Sequence, residues 1–206
     1  MKKHEGFGPT EEESDPWDLI AENLRPWNSY WTWRDKPIGE RGAAQEILRE
    51  AGCKVDGLIS REVGLDPPDC EAIVDGRWTG IEVTELVHRK TLERSLKALK
   101  QRAIGKEPER PEAYFIWNKD NLVSELQGHL NLKDRAKLKG GPYERYILVI
   151  YSDEMFLDQE SVSRFLKEAI FRTDMITDAF LGLSYHSSPD GSHGSCPVFR
   201  QPLAPR

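Results

Sequence analysis

PPDCEAIVDGRWTGIEVTEL, running from Pro67 to Leu86, is the stretch whose reading decides the fold of this 206-residue chain. It predicts two strands, Cys70 to Val74 and Thr79 to Val87, joined at Asp75-Gly76, a dipeptide that favours the tight turn of a β-hairpin. Asp69 opens the first strand and Glu82 sits in the middle of the second. Side chains alternate along a strand, so Glu82 and Thr84 share one face while Ile81, Val83 and Glu85 take the other. With Ile81 and Val83 packed beneath helices, Glu82 lies in an otherwise buried strand and needs a compensating partner. A divalent cation bridging Asp69 and Glu82 is one such partner, and hard oxygen ligands suit Mg²⁺ or Mn²⁺. Two plainer readings stand beside it: Asp69, after two prolines, caps a turn, and Glu82 pairs with a lysine or arginine of the next helix.

Upstream, PIGERGAAQEILREAG (Pro37 to Gly52) reads as a helix closed by glycine, with Ala43, Ala44, Ile47, Leu48 and Ala51 on one face. Glu40 falls near the centre of that apolar stripe, where a carboxylate is either satisfied by the helix start or part of a site. A strand from Val55 to Val63 follows. Downstream come a helix from His88 to Ala103, a loop at GKEPERPE, a strand from Ala113 to Trp117, a helix from Asp120 to Leu138 and a strand from Tyr146 to Tyr151. A helix from Gln159 to Phe171 and a strand pair, Ala179 to Tyr185 and Pro197 to Gln201, close the chain. The order α-β-β-β-α-β implies an α/β protein with a mixed sheet and flanking helices.

The run Pro68-Asp69, followed after a hairpin by Glu82-Val83-Thr84, resembles the PD-(D/E)XK phosphodiesterase superfamily, the restriction-endonuclease-like fold. There a helix bearing a glutamate precedes three strands, the second opening with Pro-Asp and the third carrying acid-x-lysine. Gly39-Glu40, Ala43-Ala44, Leu48 and Gly52 are similar to the Gly-Glu-x-x-Ala pattern of some members. The resemblance covers about residues 37 to 151. It implies a restriction-endonuclease-like αβββαβ core, with an N-terminal Trp-rich extension and a C-terminal α/β addition. It also implies that Asp69, Glu82 and the backbone carbonyl of Val83 hold Mg²⁺ or Mn²⁺, with Glu40 in a supporting or second-metal position. The expected reaction is in-line attack of an activated water on a phosphodiester of DNA or RNA.

The departure is Thr84, which stands where the family has its catalytic lysine and brings no cation to a developing phosphate charge. Lys90, Lys97 and Lys100 on the following helix are the candidates to supply one. The alternative function is therefore a catalytically inactive nuclease-fold protein acting as a nucleic-acid-binding or protein-interaction module. The net charge of −6 conceals an uneven distribution. Between Leu86 and Gly141 thirteen Lys/Arg face seven Asp/Glu, a local excess of +6 that leaves −12 for the remainder. A basic middle can face a phosphate backbone, and DNA rather than RNA is the expected partner, whereas the plain reading is a solvated helix face.

Residues 1 to 15 read as a disordered acidic tail, and 16 to 206 as one nuclease-like domain. Four of six tryptophans fall between Asp15 and Trp33, a segment expected to cover a core edge. The tail and that segment are also surfaces for another subunit, so a homodimer is an expectation. Cys53, Cys70 and Cys196 are odd in number and irregular in spacing, which argues against a disulfide framework. No apolar run approaches the roughly 20 residues of a membrane span, and the first residues lack the apolar core of a secretory signal, so a cytoplasmic location is expected. His186, His193 and Cys196 match no common zinc spacing. His88 and His129 read as ordinary surface or boundary histidines. Phosphate-binding glycine loops, dinucleotide fingerprints and serine-nucleophile elbows are missing, so kinase, dehydrogenase and serine-hydrolase classes have no support.

Overall fold

A computed structural model of the chain describes residues 35–62, 64–106, 115–154, 156–184 and 196–206. The expectations for the acidic tail, the tryptophan-rich segment, and His186 and His193 lie outside the described residues. Helix α1 (Lys36–Glu50) starts where Asp35 accepts a hydrogen bond from the Ile38 N–H at 3.2 Å, with Pro37 in its first turn. It buries Glu40, Ala43, Ala44, Ile47 and Leu48, the stripe expected from the sequence. Strands β1 (Val55–Ser60), β2 (Cys70–Val74) and β3 (Arg77–Glu85) form an antiparallel meander. Asp75 and Gly76 both have positive φ, 51° and 79°, as a two-residue hairpin turn with right-handed strand twist requires.

Next come α2 (Arg89–Ala103), α3 (Lys119–Lys133) and β4 (Arg145–Ser152). The C-terminal part adds α4 (Gln159–Leu166), β5 (Phe171–Thr173), β6 (Asp178–Leu183), β7 (Val198–Arg200) and β8 (Leu203–Pro205). The fold is α/β around a mixed six-stranded sheet in the order β1-β2-β3-β4-β6-β7, with β5 and β8 paired separately. β3, β4 and β6 run parallel and the outer pairings are antiparallel. α1 packs on the face carrying Ile81, Val83, Ile147, Val149 and Phe180. α3 and α4 cover the opposite face, where Leu122, Leu126, Leu130, Val162 and Leu166 meet Leu148, Ile150 and Leu181.

Several boundaries differ from the sequence reading. Residues 115–117 are not a strand: Phe115 stacks on His88 at 3.8 Å and Trp117 meets Phe115 edge-on at 5.2 Å, so these aromatics pack by ring contact rather than by ladder. The helix expected to reach Leu138 stops at Lys133, because Asp134 turns its carboxylate to the N–H groups of Asp174, Met175 and Ile176. The helix expected to reach Phe171 ends at Leu166, and Phe171 to Thr173 pair with Leu203 to Pro205 instead. β1 ends at Ser60 rather than Val63; the Arg61 N–H still donates to the Asp69 carbonyl, and its guanidinium meets Glu71 and Tyr143.

Candidate functional site

Asp69 precedes β2 by one residue. The register Cys70↔Ile81, extended one step, sets it opposite Glu82, and opposed residues of an antiparallel pair share a face. Its position is built by three neighbours. The Asp69 carbonyl accepts the Arg61 N–H at 2.9 Å, and the Lys139 N–H donates to the Pro67 carbonyl at 2.8 Å. Gly80 lets Pro68 lie on β3, since a Cβ there would stand 3.0 Å from Pro68 Cγ and 3.3 Å from the Tyr143 ring. Asp69 Oδ2 then accepts the Val83 N–H at 2.8 Å. A strand residue turns its N–H and C=O to the same lateral side, so the Val83 carbonyl is directed past the end of β2, beside Asp69.

Glu82 is 4% exposed and lies on the α3 face of the sheet. Its Oε1 accepts a hydrogen bond from Lys133 Nζ at 2.5 Å. Its Oε2 is buried with no hydrogen-bond partner among the described residues. Burial raises both acid pKa values. For Asp69 the nearby Glu82 charge adds to this, then Glu40, while the Val83 N–H and Lys133 oppose it, and the carboxyl is pushed up to about 7. For Glu82, Lys133 opposes burial, and Glu40 and Asp66 reinforce it. Glu40 is buried at the start of α1 and carries an ion pair with Lys36 at 3.2 Å. It comes from the helix on the opposite face, and its charge bears on both acids.

Thr84 follows on the same face as Glu82, with Oγ1 3.4 Å from His129 Nδ1. His129 stands one helical turn before Lys133 on α3, so both side chains descend on the same patch of β3. Burial, then the charges of Lys133 and Arg89, lower the His129 pKa to about 4, which leaves a neutral imidazole at pH 7. Tyr146 lies on this face too, opposite Gly80. Its hydroxyl is buried and has no partner among the described residues. Burial, Glu82, Asp69 and Asp134 all raise its pKa.

The structure thus brings Asp69, Glu82, Val83 and Thr84 to one place, with Glu40 in electrostatic reach. It does not bring the expected lysines of α2 to the acids. Lys90, Lys97 and Lys100 are exposed on α2, and the lysine that reaches Glu82 is Lys133, from the second helix after the motif strand. The plainer reading of Glu82 as half of an ion pair is met in substance, with a different helix supplying the partner. Sequence reasoning missed His129 and Tyr146. The spacing of His129 and Lys133 was visible, and so was the Leu122, Leu126, Leu130 stripe that marks the buried face of α3, but which strand residues that face meets is set only by docking. Cys196, read as a weak zinc candidate, is buried with Sγ donating to the Leu183 carbonyl at 2.6 Å. Among the described residues no three His, Cys, Asp or Glu side chains gather as a metal-holding group.

Fold and site together define an α/β protein with a largely buried cluster, Asp69, Glu82 and Lys133, on one face of its central sheet. Comparison with family models, curated proteins and solved structures returns no match to this chain. Among the described residues no helix is long and apolar enough to cross a membrane.

Proposed function

We propose that the chain is a metal-dependent phosphodiesterase of the PD-(D/E)XK type, a nuclease-like protein in which Lys133 stands in for the motif lysine replaced by Thr84. The observation that carries this reading is the Asp69-Glu82 pair. Two acids are held together in a buried place, both with raised pKa values, and one oxygen, Glu82 Oε2, has no hydrogen-bond partner among the described residues. A buried, unpartnered carboxylate oxygen costs on the order of 1–3 kcal/mol, which a ligand at that oxygen recovers.

The donors suit a hard cation: Asp69, Glu82 and the Val83 carbonyl would hold Mg²⁺ or Mn²⁺. When bound, such an ion supplies Lewis-acid stabilisation of the phosphoryl oxygen and a more acidic water. The remaining chemistry belongs to the chain. Lys133 Nζ sets a positive charge beside Glu82, where a phosphate oxygen gains negative charge. His129, neutral and beside Thr84, is a proton acceptor at the same patch.

A second reading, an inactive nuclease-fold binding module, has one observation in its favour: the Lys133-Glu82 pair gives Glu82 a partner without any metal. Cleavage of plasmid DNA and of RNA with Mg²⁺ or Mn²⁺, comparing wild type with Asp69→Ala and Glu82→Ala, separates the two. The enzyme reading expects cleavage that both substitutions abolish. No cleavage by wild type, together with no metal binding by calorimetry, rejects it.

A further inference from the structure

The charge on the helices is not evenly shared. Between Arg89 and Ala103, α2 carries six Lys/Arg (Arg89, Lys90, Arg94, Lys97, Lys100, Arg102) and one acid, Glu93, whereas α1 has three of each sign and α3 two of each. In a chain of net charge −6 this is a strong local segregation. An ordinary solvated helix interleaves signs, because like charges three or four residues apart destabilise it by roughly 0.2–0.5 kcal/mol per pair. Lys90, Arg94 and Lys97 have just this spacing.

The structure settles which way the stripe points, which the sequence left open. α2 buries Thr91, Leu92, Ser95 and Ala98, and exposes Arg89, Lys90, Arg94, Lys97, Lys100 and Arg102. Lys90, Glu93, Arg94 and Lys97 line a shallow groove on the outward side. The helix also begins close to the acids: Arg89, its first residue, follows Thr84 of β3 by five residues, and its charge bears on His129, whose Nδ1 lies 3.4 Å from Thr84 Oγ1. From Lys90 to Lys100 the basic face extends about 15 Å away from that point at 1.5 Å per residue.

We propose that the outward face of α2 binds the phosphate backbone of duplex DNA and leads it to the Asp69-Glu82 pocket. The inference rests on the phosphodiesterase reading for the destination of the strand, but the surface is argued from charge and exposure alone. An anionic membrane is the competing partner, and the face suits it poorly. Such a helix needs a wide apolar side to sink into the lipid boundary, and among the described side chains of α2 the large apolar one that is exposed is Leu96, at 36%.

The test is binding without metal, by fluorescence anisotropy of a labelled 20-base-pair duplex titrated at several salt concentrations between about 50 and 200 mM. Wild type should bind with log Kd rising linearly with log salt. Lys90→Gln, Lys97→Gln and Lys100→Gln combined keeps helix propensity and should lower the slope by about 2 to 3, since each lost phosphate contact removes about 0.9. The corresponding triple Glu variant should abolish binding. Wild type that binds the duplex in this assay but does not cleave DNA with Mg²⁺ or Mn²⁺ defeats the enzyme reading and leaves this surface standing. An unchanged slope in the triple Gln variant, the same affinity for anionic vesicles as for DNA, or no binding by wild type each overturns the proposal.

Discussion

Asp69 and Glu82 hold their protons more tightly than free carboxyls do, chiefly because the fold removes them from water; the Glu82 charge adds to this at Asp69, and Glu40 adds to it at both. For Asp69 the sign is definite. An acid whose folded pKa exceeds its unfolded value costs stability as pH rises from the ordinary 3.8 to about 7, and the cost is constant above that. Asp69→Asn keeps an oxygen for the Val83 N–H and removes the charge. Its urea midpoint should match wild type near pH 4 and exceed it at pH 8. One pKa unit is worth about 1.4 kcal/mol, and because Asp69 is only partly buried the gain is discounted to about 1–2 kcal/mol. Parallel stability curves for the two proteins would show that Asp69 ionises normally. Lys133 has the opposite effect. Lys133→Met leaves Glu82 buried without its cation and, because Lys133 is itself 25% exposed, should cost somewhat less at pH 7 than the roughly 3–5 kcal/mol of a fully buried pair, and less again at pH 4 where Glu82 takes a proton. Denaturant unfolding at the two pH values measures it. That Asp69 and Glu82 would converge was legible in their positions on the two arms of a hairpin. Lys133 was not, because a side chain fifty-one residues from Glu82 along the chain meets it only through helix docking.

At the scale of elements, the meander and α1 were readable because each carries a local signal: period-two alternation in β3, the Asp75-Gly76 turn, and an apolar stripe in α1. The ends of α3 and α4 were not. Lys133 is followed by residues that could continue a helix, and the stop at Asp134 comes from three backbone N–H groups some forty residues later. α1 is held to the sheet by a tight contact that its own sequence does not show. A Cβ on Gly182 of β6 would collide with Ile47 of α1. Gly182→Ala should therefore overpack this layer and cost about 1–3 kcal/mol, seen as a lower denaturant midpoint with unchanged m value. A neutral or stabilising outcome would mean that α1 shifts freely on the sheet.

Taken whole, the molecule buries Glu82 beneath α3 and carries a basic surplus on the outside of α2. If Asp69, Glu82 and the Val83 carbonyl hold a cation in the folded state alone, binding must raise stability by mass action. At one hundred times Kd, Mn²⁺ should add about 2.7 kcal/mol, roughly 5–10 °C in Tm for a chain of this size. Asp69→Asn combined with Glu82→Gln should show no shift in the same thermal scan, and equal shifts in both proteins would place the metal elsewhere. What the sequence by itself determined is the α/β class, the hairpin and the pairing of Asp69 with Glu82, because each depends on neighbours a few residues apart along the chain. The tertiary structure alone decided that Lys133 pairs with Glu82, that His129 and Tyr146 lie on the same face of the sheet, and that Lys90, Lys97 and Lys100 point to solvent. These depend on where helices and strands dock against one another, through contacts between residues far apart along the chain that the periodicity of a single element does not encode.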